Sequence, residues 1–171
     1  DGEKMSKSLG NLVFVSELRK EWDTRAIRLA AHVHHYRTPW EWNEQIMPAA
    51  AARLDAWIDQ TYREILKHSD KDKNHLSATI ALYLYGRSFF IDEKPVDPKH
   101  KEAVDYFLGQ AQKYWLQLAN RQSQAHLALG LKRFGVKETP TDIMKSINER
   151  SVTNEEMGQF WRDTEYSWSW Y

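Results

Sequence analysis

The chain has 171 residues, and its 24 Lys and Arg against 24 Asp and Glu leave a formal net charge of zero; that excludes a generic polyanion binder, which needs an excess of cations facing phosphates. Apolar residues make up 42% and the sequence holds no cysteine, so there is material for a single-domain core but none for disulfides, a thiol nucleophile, cysteine-ligated zinc or an internal thioester. No apolar run approaches the roughly 18 residues needed to cross a bilayer, and the expectation is neither a membrane partner nor a signal peptide in these residues.

Apolar residues recur at helical spacing almost throughout, and the pattern predicts an all-α fold. Ser16 precedes a short amphipathic turn over 17–21. Asp23 is placed to cap a helix over 24–35, which Thr38-Pro39 ends because proline disfavours helix in the residue before it. A long helix from Asn43 to Lys67 repeats Leu54, Trp57, Ile58, Tyr62, Ile65 and Leu66 at three and four. Pro48 lies inside it and predicts a separate or kinked first turn.

After a polar loop over 69–74, Ser77 caps a helix over 78–90, and Asp97-Pro98 pairs a capping oxygen with proline at the first helical position. That next helix carries Ala103, Tyr106, Phe107, Gln110, Tyr114 and Leu118, with Trp115 as a core aromatic. A helix from about Ser123 ends at Gly135, and Thr139-Pro140 opens another through Asn148. Thr153 and Glu156 have the spacing of a capping box ahead of Met157, Phe160 and Trp161. Tyr83, Tyr85, Phe89 and Phe90 wrap around one helix and read as packing. Arg87, the one charge among them, predicts an ion pair with an acid on a neighbouring helix.

The most specific string is Lys4-Met5-Ser6-Lys7-Ser8-Leu9-Gly10-Asn11. Its two lysines can reach a phosphate chain while Ser6, Ser8 and backbone N–H groups donate to the oxygens, which would stabilise charge developing on pyrophosphate. The plain alternative is a solvated Lys/Ser loop. His32, His34 and His35 invite a metal reading, but two imidazoles one turn apart lack further ligands at readable spacing. A histidine cluster at a helix C-terminus is the better account, and no metal ligand set is visible.

The octet resembles the signature loop of class I aminoacyl-tRNA synthetases. Asp1-Gly2-Glu3, Leu12-Val13-Phe14-Val15-Ser16, Ala26-Ile27-Arg28-Leu29 and His35-Tyr36-Arg37-Thr38-Pro39-Trp40-Glu41-Trp42 narrow that likeness to cysteinyl-tRNA synthetases and the cysteine ligases of mycothiol biosynthesis, over about residues 1–58. The Trp-Glu-Trp run favours the ligase side, which makes tRNA an unlikely partner. The resemblance implies ATP as cofactor, Lys7 and Lys4 as catalytic residues on its phosphates with Ser6 and Ser8 binding beside them, and a cytoplasmic location.

Residues 59–171 carry other strings: Lys73-Asn74-His75-Leu76-Ser77, Tyr83 to Phe90, Gln110 to Trp115, Ala128 to Gly135 and Glu155 to Trp161. In this order they resemble the helical-toroid region of bacterial alpha-2-macroglobulin-like proteins. That likeness implies antiparallel helix hairpins in a partial α/α toroid or irregular helical bundle, an envelope location, and a protein or protease partner without thioester chemistry. The expected organisation is therefore a chimera of a ligase-core segment, 1–58, and a partial helical domain, 59–171, with no complete active site and inactive alone.

Overall fold

The computed structural model describes residues 14–21, 27, 31, 45–92 and 94–162. That structure is 70% helical, and its one sheet among the described residues is a two-stranded hairpin, in agreement with the expected all-α class. Helix α1 spans Val15–Glu21, α2 Ile46–His68, α3 Ala78–Arg87, α4 Pro98–Tyr114, α5 Arg121–Arg133 and α6 Glu138–Glu149. Single 3-10 turns, Ser88–Phe90 and Trp115–Gln117, prolong α3 and α4. Ile27 and Ala31 are helical too, within the span predicted from Asp23.

Local chemistry explains most of the helix ends. Ser77 accepts from the Ile80 N–H at 3.3 Å and Asp97 from the Lys99 N–H at 3.1 Å, with Pro98 opening α4. The end of α5 is a Schellman motif: Val136 N–H donates to Leu131 O at 3.0 Å and Gly135 N–H to Lys132 O at 3.1 Å. Gly135 sits at φ +86°, where a side chain would be strained.

Other expectations need correction. Pro48 falls in the first turn of α2, whose N–H groups have no helical acceptor in any case, and α2 runs continuously through it from Ile46 to His68. Helix α5 starts two residues before Ser123, because Asn120 takes the Ser123 N–H at 2.9 Å and is the cap. Thr139 and Pro140 lie inside α6, which begins at Glu138 without a side-chain cap. The capping box at Thr153 does not form. Asn154 Oδ1 instead accepts from the N–H groups of Glu156 and Met157, at 2.8 and 3.2 Å, and Gly158 adopts φ +69°. The Asn turn closes strands β1 (Val152–Asn154) and β2 (Gly158–Phe160), paired antiparallel with Thr153 opposite Gln159.

Helix pairing skips a neighbour. Helix α2 packs on α4, α3 packs on α5, and α5 and α6 pair consecutively. Asp59 faces His100 while Tyr62 meets Glu102 and Tyr106; Tyr85 stacks on His126 while Arg133 covers Phe89. These contacts advance in the same sense along both members of each pair, so alternate helices form two layers, as in stacks of helix pairs. Ile58, Leu84, Phe107, Leu127 and Ile143, one from each of α2 to α6, are fully buried in a common core. Trp115 packs half-buried at the core edge from its 3-10 turn instead of lying inside it.

Close approach of α3 and α5 depends on Gly130. A Cβ there would lie 3.1 Å from backbone atoms of Leu84 and Tyr85, which cannot swing aside. Gly130→Ala should lower stability by about 1–3 kcal/mol in urea unfolding. Gly109→Ala on α4, where nothing lies within 4 Å of the added carbon, should be neutral or stabilise by up to about 1 kcal/mol.

Candidate functional site

Lys4, Ser6, Lys7 and Ser8, and with them His32, His34 and His35, lie outside the described residues. The buried polar side chains that are described lie from α2 onward. Helix α2 carries a polar residue within its apolar stripe, Asp55, one turn before Ile58. Its carboxylate lies in the interior at 2% exposure, against Arg87 at 0%.

The pair is bidentate. Arg87 Nε donates to Asp55 Oδ1 at 2.7 Å and Nη2 to Oδ2 at 3.1 Å, while Nη2 also reaches Lys94 O at 2.8 Å. Tyr83 OH donates to Asp55 Oδ1 at 3.2 Å, and the Trp57 ring lies 5.9 Å from that of Tyr83. Burial pushes the Tyr83 phenol well above the usual tyrosine range, and the Asp55 charge pushes it further while Arg87 opposes. Arg87 Nη1 is buried and has no hydrogen-bond partner among the described residues. The predicted partner acid for Arg87 is therefore Asp55. Its oxygens are taken up by fixed donors, so the arrangement binds helices together and has no free base to offer a substrate.

A second polar group gathers at the loop between α2 and α3. His75 Nε2 lies 2.8 Å from Asp70 O and 3.4 Å from Ser69 Oγ. A carbonyl accepts only, so Nε2 carries the proton and cannot take one from Ser69, which excludes a serine–histidine nucleophile here. Within α2, Arg63 holds Asp59 at 2.8 Å, and across the contact with α4 His100 Nδ1, 3.7 Å from Asp59, is beyond hydrogen-bond reach. Among the described residues no group of three or more His, Asp or Glu side chains could hold a metal ion. No described helix is long and apolar enough to cross a membrane.

Sequence reasoning named Arg87, and placed Gln110 on its helix's stripe without assigning it a partner, but did not name Asp55 or Gln124. Asp55, Gln110 and Gln124 each interrupt an apolar stripe at core spacing, and all three are buried and bonded. A polar residue in a core register was the available signal.

Residues 1–52 match the class I (C) tRNA synthetase catalytic domain. Over 58 residues the chain is 64% identical to the L-cysteine:1D-myo-inositol 2-amino-2-deoxy-alpha-D-glucopyranoside ligase of Nocardiopsis dassonvillei, covering 33% of this chain and 14% of the relative. The ligase of the same name from Thermomonospora curvata is 60% identical over 127 residues, covering 65% of this chain and 31% of the relative. That share does not fit within residues 1–58, so the likeness reaches into the helical body. The chain thus spans less than a third of the length of these curated relatives. No solved structure matches it.

Removing one member of the buried pair, by Asp55→Asn or Arg87→Met, should cost about 3–5 kcal/mol in urea unfolding, because a lone charge or an unpaired donor set stays buried. The double variant Asp55→Leu/Arg87→Met should lose less than either single one. Alkaline pH should also unfold the chain. Burial is the main cause that pushes Tyr106 up to about 12, and Tyr83 is raised as well. The folded state holds these protons more tightly than the unfolded chain, whose tyrosines titrate near ~10. Their stabilisation is therefore complete below about pH 10 and declines as pH rises from there towards about 12. Urea midpoints between pH 8 and 11.5 should show that decline, and Tyr83→Phe with Tyr106→Phe should flatten it.

Proposed function

We propose that residues 1–58 carry the ATP-phosphate-gripping arm of a cysteine-activating, adenylate-forming ligase, held by α2 on the helical body. The observation that carries this reading is the 64% identity over 58 residues to a ligase whose name gives L-cysteine as one substrate. In such a reaction the cysteine carboxylate attacks the α-phosphorus of ATP and pyrophosphate leaves; an amine then displaces AMP. Lys7, assisted by Lys4, would meet the negative charge growing on the leaving phosphates, and Ser6, Ser8 and backbone N–H groups would hold their oxygens. An amino sugar fits the second step better than tRNA because of Trp40-Glu41-Trp42. A cytoplasmic supply of ATP goes with this reading.

The Thermomonospora relative's 65% coverage supports carrying the ligase reading across residue 58. The alpha-2-macroglobulin-like reading of residues 59–171 comes second, supported by the quoted strings and by the two-layer stacking of α2 to α5. It would make the body an envelope interaction module and the chain a chimera. The ligase relatives carry nothing of that family in their names. A protease whose mobility on native gels is unchanged by the chain would dismiss it.

The test is phosphorus NMR of ATP titrated with the full chain. The β and γ resonances should broaden or shift, and Lys4→Ala/Lys7→Ala should abolish the effect while changing stability by less than about 0.5 kcal/mol. Equal perturbation by both proteins would overturn the reading. Cysteine-dependent exchange of pyrophosphate into ATP by this chain alone should stay at background.

A further inference from the structure

The connection between α2 and α3 has the composition of a protease-sensitive loop. Asp70, Lys71, Asp72, Lys73 and Asn74 are all exposed, and polar exposed loops are preferred sites of nicking. Its carbonyls from 70 to 73 are nevertheless all engaged. Along one face of α4, Tyr106 OH donates to Lys71 O at 2.9 Å, Tyr114 OH to Asp72 O at 2.8 Å and Gln110 Nε2 to Lys73 O at 3.1 Å. Gln110 Oε1 also accepts the His75 N–H at 2.8 Å, and Asn74 Nδ2 donates to Gln117 Oε1 at 2.7 Å. His75 closes the near end on Asp70 O at 2.8 Å. Four successive carbonyls, 70 to 73, are thus taken by side chains, three of them by a row of donors about one helical turn apart on α4.

We propose that residues 70–73 form a strap fastened to α4, whose two lysyl peptide bonds are closed to trypsin-like proteases until the strap lifts. The carbonyls of Lys71 and Lys73 are the ones such a protease must draw into its oxyanion hole, and Tyr106 and Gln110 hold those two oxygens. Cleavage therefore has to follow the opening of the strap, and its rate follows the population of the open form. Tyr106, Gln110 and Tyr114 bond only backbone carbonyls of the strap, so the identity of the Lys71 and Lys73 side chains does not enter their hold, while Asp70 Oδ1 braces the strap from within by accepting the Asp72 N–H at 3.0 Å. Cutting at either lysine would sever the segment that carries the arm, together with α2, from α3 and the rest of the body. The strap is thus a covalent weak point between the two parts that the fold keeps locked.

Limited trypsin digestion of the full chain, with products identified by mass, tests this. A synthetic peptide of residues 66–78 gives the rate without fastening, and the folded chain should be cut at Lys71 and Lys73 at least about a hundredfold more slowly. Tyr106→Phe, which keeps the ring, should speed cleavage at Lys71 about three- to tenfold, the change in open population expected from one neutral hydrogen bond. Gln110→Met should speed cleavage at Lys73. Lys71→Arg keeps a cleavable residue and should leave the rate unchanged. The urea midpoint of each variant separates opening of the strap from global unfolding. Cleavage of the native chain within tenfold of the peptide rate, or Tyr106→Phe and Gln110→Met variants cut no faster than the native chain while remaining folded, would overturn the proposal.

Discussion

A guanidinium and a carboxylate removed from water set the terms for the rest of this molecule. Each ion costs several kcal/mol to desolvate, and only near-ideal geometry returns that energy. Asp55 and Arg87 meet this condition through two parallel hydrogen bonds, with Tyr83 on the carboxylate and Lys94 O on the guanidinium. Helices α2 and α3 therefore have one workable alignment, since a shift of either by a turn would leave a charge alone in the core. The same pair makes the stretch around residue 58 a structural unit. Asp55 and Ile58 enter the core from one side of that position and Tyr62 from the other, all on one unbroken helix.

The remaining buried polar groups follow the same logic on a smaller scale. Gln124 is 2% exposed, donates to Leu118 O at 2.8 Å and accepts from Arg150 Nη2 at 2.6 Å. It therefore ties α5 to the turn before it and to the end of α6. Gln110 does the corresponding work between α4 and the 69–77 loop. Trp161 donates its indole N–H to Ile147 O at 2.8 Å while Arg121 lies over its ring, which docks the strand hairpin against α5 and α6. Apolar burial supplies the larger stabilisation, but it is nearly indifferent to register. The satisfied polar groups select the register, because any other alignment would leave them unpaired in a medium of low dielectric.

The proposed chemistry and the described scaffold occupy different parts of the chain. Among the described residues the buried carboxylate of Asp55 and the hydroxyls of Tyr83 and Ser88 are engaged in holding helices or turns together, whereas the buried Nδ1 of His100 has no hydrogen-bond partner. The phosphate chemistry proposed for Lys4 and Lys7 belongs to the segment matched by the synthetase catalytic domain.

Local physics made much of the architecture legible beforehand. The helical period, the Ser77 cap, the Asp97-Pro98 start and the Gly135 stop depend on a few consecutive residues, so the sequence by itself determined them. So did the octet at 4–11, where residue order alone carries the likeness to synthetases. Asn120 starts α5 two residues ahead of the expected position near Ser123, and Asn154 with Gly158 turned an expected capping box into a hairpin, because spacing could not rank neighbouring local signals. The pairing of alternate helices, the choice of Asp55 as the partner of Arg87, and the need for Gly130 under Leu84 were decided only by the tertiary structure. Each of these depends on which backbone comes within a few ångströms of another across tens of residues, and helical periodicity holds no information about that distance.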